Sequence, residues 1–120
     1  MKKKNLIFTA LFALSVLAVL AFSGCSEPDP EYTIMYEITG PESPALIWYR
    51  NEELKQVNIT DTIPWSKTII VTGKDIFLKC ETTPYYSNND KKYTVNIYVN
   101  GSLKATDTAS HLPSTSYTIK

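Results

Sequence analysis

The sequence predicts an all-β protein, an antiparallel β-sandwich of seven to eight short strands that follows an N-terminal targeting segment. From Tyr32 onward, apolar and polar residues alternate with the two-residue period of a half-buried strand. Turn-forming residues interrupt these runs at the spacing of about 8 to 12 residues that is typical of β-sandwiches. Asn100-Gly101 supplies two residues that tolerate a positive φ, which predicts a two-residue type I′ hairpin turn.

Each predicted strand is a run that ends where turn formers begin. Gly40-Pro41 and Pro44 separate the first two runs, and residues 61–64 separate the third from the fourth. The run around Val95 alternates most regularly, and in the fifth run Cys80 shares a face with Ile76 and Leu78. The predicted strands are 32–39, 45–50, 54–60, 66–72, 76–83, 91–99, 102–108 and 114–120.

The N-terminus has the pattern of a secretory signal. Three lysines at 2–4 precede an apolar run over residues 6–22 that only Thr9 and Ser15 interrupt. The run is close to the length of about 20 residues that spans a bilayer, so a retained transmembrane anchor is the alternative. Either arrangement keeps the lysines in the cytoplasm and the rest of the chain outside it.

The cysteine at the end of the apolar run favours a lipoprotein over a transmembrane anchor. Residues 22–25, Phe-Ser-Gly-Cys, resemble the bacterial lipobox. That resemblance implies diacylglyceryl attachment to the Cys25 thiol and cleavage between Gly24 and Cys25. We therefore expect a bacterial envelope lipoprotein, with its mature domain in the periplasm or on the cell surface and held to the membrane by a lipid anchor.

The chain divides into a signal peptide (1–24), an acidic, proline-rich tether (25–31) and one β domain (32–120). Removal of the signal peptide takes away three of the 12 basic residues and none of the 12 acidic ones, which leaves a net charge of −3. This balance argues against nucleic acid as a partner.

Four segments of the β domain, in order, resemble the MmpS family (mycobacterial membrane protein small). They are Tyr-Glu-Ile-Thr-Gly at 36–40, Ile-Trp-Tyr at 47–49, Ile-Pro-Trp-Ser-Lys at 63–67 and Ile-Tyr-Val-Asn-Gly at 97–101. The resemblance implies an Ig-like β-sandwich outside the membrane and an accessory role beside transporters of the RND type. The chain differs from the family in its lipobox and in Val95, which stands where the first cysteine of the family's pair is expected.

The remaining candidate residues are expected to have structural roles or to make surface contacts rather than to take part in catalysis or metal binding. Cys80 is expected to be a buried, unreactive thiol, and His111, in a turn without other ligands near it in sequence, a surface residue. The tryptophans, Trp48 and Trp65, are expected in the core, although Trp65 lies beside a turn and is also a contact candidate. Tyr85 and Tyr86, in the longest polar loop, are the other candidates for contact with a ligand or partner.

Two functions follow from these observations. The first is a non-catalytic accessory module that contacts a transporter or another envelope protein. The second is a lipid-anchored module that binds a glycan or another small ligand through exposed aromatic side chains. We expect no catalytic residues, no metal and no cofactor, because neither an acid/base pair, a nucleophile nor a phosphate-binding loop is visible in the sequence.

Overall fold

A computed structural model describes residues 28–120, and this part of the chain is all-β, with six strands and no helix. Every strand pair is antiparallel, as the sequence predicts. The strands are β1 (Glu31–Arg50), β2 (Gln56–Thr72), β3 (Ile76–Pro84), β4 (Tyr93–Val99), β5 (Ser102–Ala109) and β6 (Ser114–Ile119).

The prediction of seven to eight strands is wrong because two pairs of predicted strands are continuous. β1 runs through Gly40 and Pro41, and β2 runs through the predicted break at 61–64. The two strands bend together: their pairing stops after Ile38 and resumes with Ser43 opposite Ile63. Glycine and proline at these positions therefore mark a shared bend rather than the ends of four strands.

The bend divides β1 into two arms with different neighbours. The first arm pairs with β4 and the second with β3, while β2 pairs with β1 along both arms. The order β5-β4-β1-β3-β6 results, and β5 and β6 lie against each other at its two ends. The backbone N–H of Ser114 donates to Asp107 Oδ2 at 3.0 Å across that seam. The sheet is thus nearly closed into a barrel.

The core fills the inside of this sheet, mainly with alternating residues of β1, β3 and β4 and with smaller contributions from β2 and β6. In the cleanest predicted strand, Tyr93, Val95 and Ile97 are fully buried. Cys80 is fully buried beside Ile76 and Leu78, which confirms the predicted face of β3. The other buried apolar residues are Ile34, Tyr36, Ile38, Ala45, Ile47, Tyr49, Ile63, Ile69, Val71, Val99 and Ile119.

One predicted turn is confirmed, and one predicted strand start is wrong. Asn100 and Gly101 have φ values of 51° and 86°, so the predicted hairpin turn is confirmed. The Asn100 side chain also accepts a hydrogen bond from the Thr33 N–H at 2.9 Å, which fixes the hairpin against β1. Leu54 was predicted to begin a strand, but its φ of 62° places it in a turn, and β2 begins at Gln56.

The register assigns four of the five connections between the strands to one of two ends of the barrel. The N-terminal end holds the start of β1, the 73–75 turn after Thr72, the Asn100-Gly101 turn and the end of β6. The distal end holds the bend of β1, the β3–β4 loop and the β5–β6 loop. Since β3 spans the barrel with 9 residues, the two ends lie about 25 Å apart.

Candidate contact surface at the distal end

Tyr85 and Tyr86 are exposed side chains on a well-anchored stretch of backbone. Their exposed fractions are 52% and 61%. The Tyr85 N–H donates to the Pro44 carbonyl oxygen at 2.8 Å, and the Tyr86 N–H donates to the Oγ of buried Ser43 at 3.1 Å. The two rings therefore project from backbone that the bend of β1 holds in place.

His111 ties the second distal loop to the first. Its Nδ1 lies 3.0 Å from Ser87 Oγ and its Nε2 lies 3.1 Å from Asn89 Oδ1. His111 is exposed, as predicted, and the adjacent Leu112 exposes 53% of its side chain. The loops after β3 and after β5 thus form one surface, which we call the distal surface and define as Tyr85, Tyr86, His111 and Leu112.

Sequence reasoning missed the bridging role of His111 and the exposure of Leu112. Ser87 and His111 are 24 positions apart, and only the pairing of β4 with β5 and of β3 with β6 brings their loops to one end. The sole available signal was the presence of hydrogen-bonding side chains in both loops.

Trp65 does not join the distal surface. It is half-buried, and its ring lies 5.5 Å from that of Tyr49, so its predicted association with the core is confirmed. Its exposed edge lines a shallow pocket of about 160 Å³ with Glu37, Thr39 and Pro64, and neither Tyr85 nor Tyr86 lines that pocket.

The prediction that Trp48 belongs to the core is wrong. Ile47 and Tyr49 occupy the inner face of β1, and strand alternation therefore places Trp48 on the outer face. There it is half-buried, directly between Asn58 on β2 and Glu81 on β3.

Cys80 has the environment of an unreactive thiol. Burial, and secondarily the charge of Glu81, raises the pKa of the Cys80 thiol from 9.0 to about 12. Little thiolate forms near neutral pH, and the thiolate is the nucleophile and metal ligand. Cys80 is accordingly a core residue rather than a reactive site.

The candidate residues Gly24 and Cys25, and the signal peptide as a whole, lie outside the described residues. Within residues 28–120, no helix is long and apolar enough to cross a bilayer. The same part of the chain contains no cluster of three or more His, Cys, Asp or Glu side chains arranged to hold a metal ion. The chain matches no protein-family model and no curated protein.

The distal surface offers apolar ring area, phenolic hydroxyl groups and one aliphatic side chain. Such groups gain free energy when they are covered by a partner, and tyrosine is enriched where proteins bind one another. Hydrogen bonds from the Tyr85 and Tyr86 N–H groups fix the backbone beneath both rings, which lowers the ordering entropy that binding must overcome. The arrangement is suited to contact with another surface.

Proposed function

We propose that the chain is a lipid-anchored lipoprotein of the bacterial cell envelope that acts as a non-catalytic accessory module. In this proposal Cys25 carries the lipid, residues 25–31 form the tether, and the distal surface contacts an envelope protein. The partner class that the resemblance to the MmpS family suggests is a transporter of the RND type.

The position of the distal surface is the observation that carries the proposal. The tether enters at the N-terminal end of the barrel, where the Gly73 N–H donates to the Pro30 carbonyl oxygen at 3.1 Å. Tyr85, Tyr86 and Leu112 lie at the other end, about 25 Å away. A domain tethered at one end presents its opposite end to partners that project from the membrane.

The finer fold assignment, an Ig-like sandwich, is part of the same proposal. The shared bend of β1 and β2 supports it, because each arm of β1 then forms a half-sheet with one arm of β2. The inner faces of the two halves meet in a single core, in which Ile34 and Ile47 are both fully buried. An experimental structure that shows two packed sheets, rather than a continuous cylinder, would support this assignment.

The proposed contact is tested by removing its apolar groups. A Tyr85→Ser, Tyr86→Ser double variant is compared with Leu103→Ser, because Leu103 is equally exposed at 51% but lies on β5 near the hairpin. Tagged proteins are crosslinked in cells, extracted in detergent and analysed by quantitative mass spectrometry. We expect the double variant to lose a specific envelope partner by at least about tenfold, as for interface anchors, and Leu103→Ser to retain it. Equal recovery with both variants would contradict the proposal.

Binding of a glycan or another small ligand at the same surface is the second candidate function. It is favoured by the exposed rings of Tyr85 and Tyr86, since aromatic faces stack on the apolar faces of sugars. Glycan binding by the purified protein should then decrease when both tyrosines are replaced by alanine. Unchanged glycan binding by that variant would count against this function.

A further inference from the structure

A second surface, on the outer face of the sheet, has the composition of a small-ligand site. β1, β2 and β3 together form a pocket of about 60 Å³ there. The pocket is lined by Trp48, Tyr49, Arg50, Gln56, Lys79 and Glu81. It therefore combines an indole, two cations, a carboxylate and an amide within one small volume.

Trp48 supplies an apolar platform in the centre of this face. The residues directly opposite Trp48 on the two neighbouring strands, Asn58 on β2 and Glu81 on β3, are both polar. The indole is therefore flanked by polar side chains in the direction that crosses the strands. An indole that stands among hydrogen-bonding groups on a sheet provides a stacking face and polar contacts together. This is the combination that a sugar ring requires, since a sugar has apolar faces and a polar rim.

The Arg50 guanidinium is held in place by two contacts, while its Nε–H group has no acceptor among the described residues. Its Nη1 donates to the Leu54 carbonyl oxygen at 3.1 Å, and its guanidinium lies 5.3 Å from the centre of the Phe77 ring. Its Nε is buried and has no hydrogen-bond partner among the described residues. An unpaired buried donor of a charged group is costly. The Nε and Nη2 edge of arginine is a two-donor fork that a carboxylate accepts.

Lys79 and Glu81 complete the charge pattern of the pocket. Lys79 Nζ lies 3.5 Å from Glu81 Oε1, which also accepts a hydrogen bond from Ser114 Oγ at 3.0 Å. Glu81 is thus already compensated, while Arg50 has no carboxylate partner within residues 28–120. The lining residues carry a net charge of +1 within a mature chain whose net charge is −3, so the pocket is complementary in charge to one anionic group.

We propose that this pocket binds a carboxylate-bearing sugar, the uronic acid residue of an anionic glycan. The pocket has room for the sugar carboxylate, which accepts from Arg50 and Lys79, while the ring lies outside it against the Trp48 face and one ring hydroxyl donates to Glu81. Because Arg50 Nε is buried, the side chains that cover it must change rotamer before a carboxylate can reach it. The pocket lies apart from the distal surface, and none of its lining residues belongs to that surface.

The test is a titration of the purified full chain, labelled with ¹⁵N, followed by NMR. The probes are methyl β-D-glucuronide and its neutral counterpart methyl β-D-glucoside, each added into the millimolar range. The two indole resonances are assigned with Trp65→Phe. We expect glucuronide to shift the Trp48 indole and Arg50 Nε–H resonances saturably, and glucoside to bind at least about tenfold more weakly.

Two variants locate the contact. Lys79→Gln removes one cation from a side chain that is 43% exposed, so the fold should be retained, and glucuronide affinity should fall about tenfold. Lys104→Gln, an exposed lysine on β5, is the control and should leave the affinity unchanged. An unmoved Trp48 indole, an equal response to glucoside, unchanged binding by Lys79→Gln, or shifts confined to Tyr85 and Tyr86 would each overturn the proposal.

Discussion

Gly40 stands at the shared bend of β1, and its replacement by alanine tests the close packing there. Its φ of 145° lies in a region that side-chain-bearing residues rarely adopt. A Cβ at this position would lie 2.6 Å from Tyr93 Cδ1 and 3.0 Å from the Lys92 carbonyl oxygen. Tyr93 is fully buried and has little room to move. Backbone strain of about 1–3 kcal/mol and overpacking of about 1–3 kcal/mol should together lower the free energy of unfolding.

Gly73→Ala is the matched control, because it shares the strain but not the clash. Gly73 has a φ of 131°, and no heavy atom in the described part of the chain lies within 4 Å of the Cβ that alanine would add there. Urea unfolding of the purified protein, followed by tryptophan fluorescence, measures both variants. Gly40→Ala should be destabilised more than Gly73→Ala by about 1–3 kcal/mol, or roughly 4–8 °C in Tm for each kcal/mol. Equal destabilisation of the two variants would refute the packing argument at the bend.

Three further predictions concern the core and the anchor. Tyr36→Phe removes a hydrogen bond of 2.7 Å from the phenol to the Arg50 carbonyl oxygen and should cost about 1–2 kcal/mol in urea unfolding; an unchanged midpoint would contradict it. The free energy of unfolding should fall as the pH rises from 9 towards 12, because the unfolded chain releases the Cys80 proton while the folded chain, whose pKa is about 12, retains it. In the Cys80→Ala variant, the fall in the free energy of unfolding should be smaller by the contribution of this thiol. Identical pH profiles for the two proteins would argue against this role of Cys80. Cys25→Ala should block labelling by a fatty-acid probe and leave uncleaved precursor, and normal processing of the variant would disprove the lipobox.

Local patterns predicted the elements whose structure depends on neighbouring residues. The alternation around Val95 identified the inner face of β4, and Asn100-Gly101 identified its turn, since both signals lie within a few residues. The same alternation would have placed Trp48 outside, with Arg50. The core assignment instead followed the tendency of β-sandwiches to bury a tryptophan, and Trp65, not Trp48, packs against the core.

Features that depend on pairing between distant segments were not predictable from the chain alone. The strand count failed because β1 and β2 bend together, and their pairing resumes at Ser43 and Ile63, 20 positions apart. The His111 bridge and the pocket around Trp48 likewise depend on the register of several strands. Tyr85 and Tyr86 were found as exposed candidates because a long polar loop is itself a local signal.

A photo-crosslinking amino acid placed at position 86, and separately at position 104, tests the proposed accessory role most directly. Both side chains are exposed, but position 86 lies on the distal surface and position 104 on β5. After irradiation of living cells, we expect a discrete adduct with an envelope protein from position 86 and background labelling from position 104. Background labelling from both positions, or a discrete adduct from position 104 alone, would contradict a partner contact at the distal surface.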